Sequence, residues 1–300
     1  MKLTCVTATF NAIAAGNRER LVRCVESVAK LATEHEHLVY DGASTDGTVD
    51  LLRELEAKTP GLKVVSEKDT GIYNALNKGV RDARGEWFYV LGCDDYICDP
   101  PVLDELIAGL TDADDALITT VRKQFKDHEE PWFTALSQFD HIFLGPCLCH
   151  QGECIRTSIA RDLGGFDERY AIAADSDMFL KAHMRGLNFK YVFRIFACFG
   201  YGGTAQMKGE QALREHRTSV ADVLGLVGAG RQMMIRDLKL PLGMCFRLCN
   251  HSDIAIRQSA RKMIRTHLKL ALRIVFYPLV AVTRSMRHPE VKERRSINER

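Results

Sequence analysis

Several signatures of common protein classes are missing from this chain of 300 residues. Its ten cysteines include no Cys-x-x-Cys pair, which favours reduced thiols in a cytosol over a disulfide framework. No uncharged apolar stretch reaches the roughly 18 residues of a membrane-spanning helix. The start, Met1-Lys2-Leu3, runs directly into a strand pattern, so we expect no signal peptide. The chain also contains no P-loop and no dinucleotide-binding fingerprint.

Charge is present in both signs but is unevenly distributed. The net charge of +2 is small, yet residues 253–300 hold twelve Lys or Arg and four Asp or Glu, a balance of +8. Residues 1–252 therefore carry −6. A mildly acidic body with a basic tail predicts an anionic partner for the tail.

Strand and helix patterns alternate through the first part of the chain. Short apolar runs predict strands at residues 2–8, 37–41, 62–66 and 86–92. Helical spacing predicts helices, the last of them opened by two prolines, at 17–32, 48–58, 71–83 and 100–110. The alternation predicts an α/β fold with a mainly parallel, Rossmann-like sheet flanked by helices. Farther along the chain we expect strands and loops over 115–145, a helix from about Asp175, and a domain boundary near residue 205.

Three of the predicted strands end in aspartate. Asp41 follows the second strand, Asp69 the third, and the adjacent pair Asp94 and Asp95 follows the fourth. The carboxyl ends of strands are where ligands bind in open α/β sheets. Two neighbouring carboxylates raise each other's pKa, and a divalent cation relieves that cost. The strand ends therefore predict a site that takes a metal ion and a phosphate-bearing ligand.

At these positions the chain resembles the inverting family-two glycosyltransferases of GT-A fold, and most closely those of bacterial surface-polysaccharide synthesis. The matching segments occur in the family's order and together span about residues 3–190: 6–11, 41–48, 67–79, 85–96, 164–170 and 174–177. The resemblance implies a GT-A catalytic domain over 1–205 and a helical, basic C-terminal region over 206–300. It implies a hexosyltransferase that uses a nucleotide-diphosphate sugar, expected to be a UDP-sugar.

The resemblance also implies roles for the acids at the strand ends. Asp41 would accept a hydrogen bond from the nucleotide base, and Thr9 would lie in the same nucleotide site. Asp94 would contact the ribose or share a metal, Mg²⁺ or Mn²⁺, whose direct ligand would be Asp95. Two further positions keep two interpretations each: Asp69 is a nucleotide ligand or a helix cap, and Asn77 is a nucleotide ligand or a structural residue.

Two aspartates are candidates for the general base. Family members carry an acidic pair where this chain has Ala174 and Asp175, so by resemblance Asp175 is the favoured base. Asp177 is the alternative, although it could instead pair with Lys181 at i+4. A carboxylate suits this task because it needs only to take a proton from the attacking hydroxyl.

A cysteine-rich segment surrounds His150 and Gln151. Its three cysteines and one histidine lie within residues 147–154, but their spacing does not match that of structural zinc sites. The family resemblance instead places His150 and Gln151 in the wall of the acceptor pocket.

Near the C-terminus, basic residues recur every four positions beside an apolar stripe. They are Arg257, Arg261, Arg265, Lys269 and Arg273. Such a basic amphipathic helix either lies on an anionic bilayer or docks on the catalytic domain. The first interpretation places the protein in the cytoplasm, on the inner face of the plasma membrane. No nucleic-acid recognition fold accompanies the charge, so we expect no nucleic-acid partner.

These features favour a transferase that acts on a hydroxyl of a glycan or lipid-linked acceptor, and the family resemblance implies that it acts with inversion. Two alternatives stay open. A sugar-nucleotide pyrophosphorylase would need a Gly-rich, basic loop after the first strand, and residues 9–12 offer none. A sugar-nucleotide-binding protein without transfer activity is suggested only by Ala174, which occupies a position that is acidic in the family.

Overall fold

The computed structural model describes residues 1–124, 129–132, 149–201 and 208–237, and in the C-terminal region residues 245, 247–250, 257, 260, 261, 264 and 265. Its centre is a nine-stranded sheet, in which the main path has the order β3-β2-β1-β4-β8-β6-β9-β5 and β7 pairs with β6. The strands are β1 (Leu3–Thr9), β2 (His35–Asp41), β3 (Leu62–Ser66), β4 (Trp87–Val90), β5 (Tyr96–Ile97), β6 (Ala116–Gln124), β7 (Glu129–Trp132), β8 (Glu153–Arg156) and β9 (Phe189–Phe199).

Helices cover the sheet. In chain order they are α1 (Arg18–Val28), α2 (Thr48–Glu56), α3 (Ile72–Asp82), α4 (Pro100–Ala108), α5 (Thr157–Asp162), α6 (Ala174–Met184), α7 (Gly209–Val223) and α8 (Gly228–Asp237). All seven residues of β1 are buried, as expected for a parallel strand with helices on both faces. The predicted alternation of strands and helices is confirmed through α4, with shifts of a few residues at the ends of elements.

The parallel part of the sheet comes from the first four strands. β1 pairs in parallel with both β2 and β4, and β2 pairs in parallel with β3. The remainder is mixed, because β8 runs antiparallel to β4 and to β6 while β9 is parallel to β6. The sequence patterns beyond residue 110 are too irregular to predict this second half. The parallel half brings four strand ends to one edge, which is where the aspartates lie.

Two C-terminal helices pack on α6. Leu180 of α6 belongs to an apolar cluster with Val220 and Ala221 of α7 and Met234 of α8. The same cluster includes Ala260, and Ile264 packs against it. The first turns of the predicted basic helix therefore contact the protein, whereas Arg261 and Arg265 are exposed.

Several sequence predictions lie wholly or partly outside the described residues. They are the domain boundary near 205, residues 125–128 and 133–145 of the segment predicted to form strands and loops, Cys147, and the tail beyond 265 with Lys269 and Arg273. Within the described part of the chain, no helix combines the length and the apolar character needed to cross a bilayer.

Candidate active site

The ends of β1, β2 and β3 meet around Gly42. A larger residue there would displace the Asp69 carboxylate, because a Cβ on Gly42 would lie 2.9 Å from Asp69 Oδ2 and 3.2 Å from Phe10 Cδ2. Phe10 is 63% exposed although it follows directly on the buried β1. The structure thus brings Asp69 and an exposed aromatic face together across Gly42, next to Asp41.

The loops after β1 and β2 are held in strained conformations. Asn11 and Ala43 have φ angles of 46° and 63°, the left-handed values found outside glycine in the described residues. The Asn11 amide N–H donates to Ser44 Oγ at 2.7 Å, and its side-chain Oδ1 accepts from the Thr45 N–H at 3.0 Å. Non-glycine residues in this region of φ cost free energy and cluster at ligand sites. These two loops, which hydrogen bonds hold together, are therefore the part of this edge that is preformed for a ligand.

Asp41 forms the floor of these loops. It is 1% exposed, and its Oδ2 accepts from the Ser44 N–H at 2.9 Å and from Ser66 Oγ at 2.7 Å. Its Oδ1 accepts from the Ser44 hydroxyl. Both oxygens are thus engaged by protein groups, the arrangement of a turn-forming aspartate. Thr9 is buried beside Cys93 at the end of β1.

Asp69 and Asn77 both make structural contacts. Asp69 Oδ1 accepts from the Gly71 N–H at 3.0 Å, just ahead of α3, while its Oδ2 faces Gly42. Asn77 accepts from the Phe166 N–H at 2.8 Å and donates to the Phe166 carbonyl at 2.9 Å. The Asn77 amide thus joins α3 to the loop before α6, and only Asp69 retains an oxygen directed at the loops.

Asp95 is a buried carboxylate that accepts hydrogen bonds from three donors. Its Oδ2 accepts from Gln151 Nε2 at 2.7 Å and from the Gly92 N–H at 3.2 Å, and its Oδ1 accepts from the Gly200 N–H at 2.7 Å. The pKa of Asp95 is raised to about 6, mainly by burial and to a smaller extent by the charge of Asp94. Asp94 is the more exposed of the two.

This pair fits a cation that arrives with a phosphate ligand. Asp95 Oδ1 accepts one hydrogen bond and so keeps one lone pair, and Asp94 lies at the surface of the cleft. Mg²⁺ is commonly bound by one or two carboxylates, with substrate phosphates and waters completing its shell. Among the described residues, no group of three or more acids, histidines or cysteines forms a complete metal cage. The donor set therefore suits a shared metal site.

Asp175 lies in the first turn of α6 and pairs with His150. His150 Nδ1 is 3.1 Å from Asp175 Oδ2, and the two side chains are 31% and 23% exposed. Burial acts to lower the pKa of His150, but the hydrogen bond and charge of Asp175 outweigh it and raise that pKa to about 9. The Tyr73 hydroxyl lies 3.5 Å from Asp175 Oδ1. Asp175 is thus partly open to the cleft and held by a cationic imidazole.

Asp177 points away from this cleft. It is 1% exposed, accepts from Ser219 Oγ of α7 at 2.6 Å, and lies 2.6 Å from Lys181 Nζ. The i+4 pair with Lys181 that the sequence suggested is therefore present. These contacts join α6 to α7.

One short turn connects the two carboxylates of the site. His150 contacts Asp175 and Gln151 contacts Asp95, and both belong to the single 3₁₀ turn His150–Gly152. Gln151 is 1% exposed. The observed partners of these two residues are acids of the site, and their acceptor-wall role stays a prediction of the family resemblance.

The model of the family described as Glycosyl transferase family 2 matches residues 4–199. This chain belongs to glycosyltransferase family 2. A "PGL/p-HBAD biosynthesis glycosyltransferase" of Mycobacterium bovis is 26% identical over 188 residues, which cover 61% of this chain and 73% of the relative. The "Chondroitin synthase" of Escherichia coli is 30% identical over 186 residues, covering 58% of this chain and 26% of that protein.

Solved structures confirm the GT-A fold of this glycosyltransferase. The structure of S. aureus TarS 1-349 in complex with UDP superposes with a TM-score of 0.57 at 20% identity. The superposition covers 79% of this chain and 70% of the TarS chain. The mannosyltransferase PcManGT from Pyrobaculum calidifontis, in complex with GDP-Man and Mn²⁺, has a TM-score of 0.59 at 18% identity. It covers 96% of this chain and 81% of its own. The expectation that this chain is a glycosyltransferase is confirmed.

Sequence reasoning missed three features of the glycosyltransferase site. Phe10 is an exposed aromatic residue in a segment that reads as a buried strand end, and only its polar neighbour Asn11 could have hinted at this. For Gln151 the family resemblance indicates only the acceptor side, and no sequence pattern indicates its hydrogen bond to Asp95. Glu215, on α7, accepts hydrogen bonds from the turn that precedes Asp175. No local motif signals so distant a partner.

Proposed function

We propose that this glycosyltransferase moves one sugar, with inversion, from a nucleotide-diphosphate donor to a hydroxyl of a glycan or lipid-linked acceptor in polysaccharide biosynthesis. The observation that carries the proposal is the His150–Gly152 turn, which holds Asp175 and Asp95 to one cleft. Asp175 takes the proton of the acceptor hydroxyl while the new oxygen–carbon bond forms at the anomeric carbon. The bond from that carbon to the diphosphate breaks, and the nucleoside diphosphate leaves.

Asp94 and Asp95 would hold the divalent metal, Mg²⁺ or Mn²⁺, together with the donor diphosphate. When bound there, the ion neutralises negative charge that develops on the leaving group. The raised pKa of Asp95 supports this assignment, since a cation favours the ionised form that burial and Asp94 oppose. The neighbouring structure described with GDP-Man and Mn²⁺ is consistent with such an ion.

We propose that the nucleotide binds at the ends of β1 and β2. Phe10 offers an exposed ring on which the base can stack, and Asp69 Oδ2 lies beside it. Asp41 either shapes the floor of this site through its hydrogen bonds with Ser44 and Ser66, or gives up one of them and accepts a hydrogen bond from the base instead. We propose UDP as the carrier, and TarS structures described with UDP and UDP-GlcNAc make uridine donors the first to test.

A thermal-shift panel of nucleotide sugars tests the proposal. With Mn²⁺ or Mg²⁺ present, a UDP-sugar at a hundred times its Kd should stabilise the protein by about 2.7 kcal/mol. That corresponds to a rise in Tm of roughly 4 °C for a chain of this size. EDTA should abolish the rise. A rise in Tm that persists in EDTA would contradict the proposed metal-assisted donor site. So would the absence of a rise with every nucleotide sugar.

Phe10→Ala provides a sharp check within the same panel. Loss of one base–aromatic stack costs about 1–3 kcal/mol, so the donor Kd should rise roughly ten-fold to a hundred-fold. Phe193→Ala is the matched control, because Phe193 is similarly exposed, at 60%, but belongs to β9 and not to the loop after β1. If both variants bound the donor alike, the base would lie elsewhere.

We also propose that the basic face of the tail binds an anionic membrane surface and so brings a cytoplasmic enzyme to a lipid-linked acceptor. Arg261 and Arg265 are exposed one helical turn apart on the part of the tail that the structure describes. Each Lys or Arg near an anionic surface contributes about 1 kcal/mol. On this proposal the tail from Arg257 onward serves as the attachment region, within residues 206–300 that follow the catalytic domain of residues 1–205.

Charge reversal on the full chain tests the membrane proposal. Arg261→Glu with Arg265→Glu should lower binding to vesicles containing anionic lipid by at least 30-fold, which corresponds to about 2 kcal/mol. Lys30→Glu with Lys58→Glu makes the same change in net charge at exposed positions elsewhere. Cosedimentation at low and high salt is the measurement. Equal loss in both double variants would mean that net charge alone governs binding, and no loss in either would remove the tail from membrane attachment.

A further inference from the structure

Helix α7 is hydrogen-bonded to the turn that carries Asp175. Glu215 Oε2 of α7 accepts from the Ile172 N–H at 2.8 Å and from the Ala173 N–H at 3.1 Å. Ala173 is the N-cap residue of α6, and it has no side-chain cap of its own. A carboxylate from a helix 40 residues farther along the chain therefore takes the place of a local cap.

The peptide groups that Glu215 binds are shielded from water. Ile172 is 9% exposed and Ala173 is 2% exposed, and buried N–H groups need an acceptor. The Ile172 carbonyl accepts from the Tyr73 hydroxyl on the other side. The peptide segment that leads into Asp175 is thus held from both sides, by Tyr73 of α3 and Glu215 of α7.

The same face of α7 makes two more contacts with this segment. Ser219 donates to Asp177 at 2.6 Å, and Asp222 accepts from the Tyr170 hydroxyl at 3.2 Å. Positions 215, 219 and 222 lie on one helical face, at i, i+4 and i+7. α7 therefore holds residues 170–177 at three points, with Asp175 between them.

We propose that Glu215 is a positioning residue for the general base, so that α7 belongs to the catalytic apparatus and not to a separable appendage. This inference rests on the proposed function, in which Asp175 takes the acceptor proton. Glu215 does not touch the reacting atoms. It fixes the start of α6, and with it the direction from which the Asp175 carboxylate meets the acceptor hydroxyl.

Steady-state kinetics of Glu215 variants test the inference. Glu215→Ala should lower kcat by roughly ten-fold to a hundred-fold, since small misplacements of a reacting group cost this much. The Kd of the donor should stay within about twofold, because Glu215 contacts no part of the proposed donor site. Glu215→Gln should restore most of kcat, since its amide oxygen can accept from both N–H groups. Glu210→Gln, an exposed position on the same helix, should leave kcat unchanged.

A double-variant cycle separates positioning from mere stabilisation. If Glu215 acts through Asp175, then adding Glu215→Ala to the Asp175→Asn variant should lower kcat only slightly further. Equal losses of rate in both backgrounds, or parallel losses of kcat and donor affinity, would overturn the inference. Should Glu215→Ala not fold, Gln211→Ala offers a milder change, because Gln211 Nε2 donates to Glu215 Oε1 at 2.8 Å. That variant should then lower kcat at unchanged donor Kd, and unchanged kcat would overturn the inference.

The activity of the Asp175→Asn variant tests the role of Asp175 as base separately from the positioning role of Glu215. An Asp175→Asn variant with full activity would remove the proposed base, and the positioning role would fall with it. An inactive Asp175→Asn variant beside a fully active Glu215→Ala variant would leave the proposed function intact and refute only the role of α7.

Discussion

Metal-dependent donor binding should be lost when either Asp94 or Asp95 is replaced by asparagine, with a fall in transfer of roughly 10²–10³-fold. Metal ions contribute several kcal/mol of charge stabilisation in such reactions, and each 1.36 kcal/mol corresponds to a factor of ten in rate. An amide lacks the charge of the carboxylate, so the pair could no longer hold a cation against the diphosphate. Calorimetry with a UDP-sugar and Mn²⁺ measures the binding directly.

The fold should survive the Asp95→Asn change even though Asp95 is buried. A pKa raised from 3.8 to about 6 means that ionised Asp95 costs about 3 kcal/mol of folding free energy at neutral pH, which lies above both values. The amide removes that cost. It also leaves one of the three donors to Asp95 without an acceptor, at about 1–3 kcal/mol. The two effects nearly cancel, so Tm should move by less than about 5 °C.

Asp99→Asn is the matched control for these variants. Asp99 is exposed and caps α4 by accepting from the Val102 N–H at 3.3 Å, a task that asparagine performs equally well. Its donor binding and rate should equal those of the unchanged protein. Donor binding that kept its metal dependence in both Asp94→Asn and Asp95→Asn would place the metal away from this strand end.

The parallel half of the fold was predictable because it depends on local patterns. Apolar runs of four to seven residues, helical spacing such as Leu21, Cys24, Val25 and Val28, and the prolines at the start of α4 each predict their element without reference to the rest. The grouping of Asp41, Asp69 and Asp94 at one edge follows from parallel topology alone. Family resemblance then supplied the roles that topology cannot assign.

The remainder of the site depends on contacts between distant segments. The contacts that Asp41 makes with Ser44 and Ser66 depend on how the loops after β2 and β3 pack, which no local sequence pattern gives. The partners of Gln151 and Glu215 lie 56 and 43 residues away. Such contacts are set by how β8 and α7 pack, in the part of the chain where sequence patterns are irregular.

Asp175→Asn is expected to lower kcat by a factor on the order of 10²–10⁴ while leaving donor affinity unchanged. That range is the usual contribution of a positioned general base. Asparagine can keep the hydrogen bond from His150 Nδ1 but cannot take a proton from the acceptor. On the proposed mechanism Asp175 meets the acceptor hydroxyl and not the donor, so donor binding measured by calorimetry should not change.

Asp177→Asn separates the two candidates for the base, because Asp177 lies two residues away in a different environment. It is buried against Ser219 and Lys181, and the substitution weakens its contacts with both. Hydrogen bonds to charged groups contribute about 1.5–3 kcal/mol, so this variant should unfold at lower denaturant concentration while its kcat stays within about threefold. The reverse pattern, with a silent Asp175→Asn and an inactive but stable Asp177→Asn, would transfer the role of base to Asp177. It would also require α6 to turn by about half a revolution when substrates bind, since Asp177 now faces α7 and not the cleft.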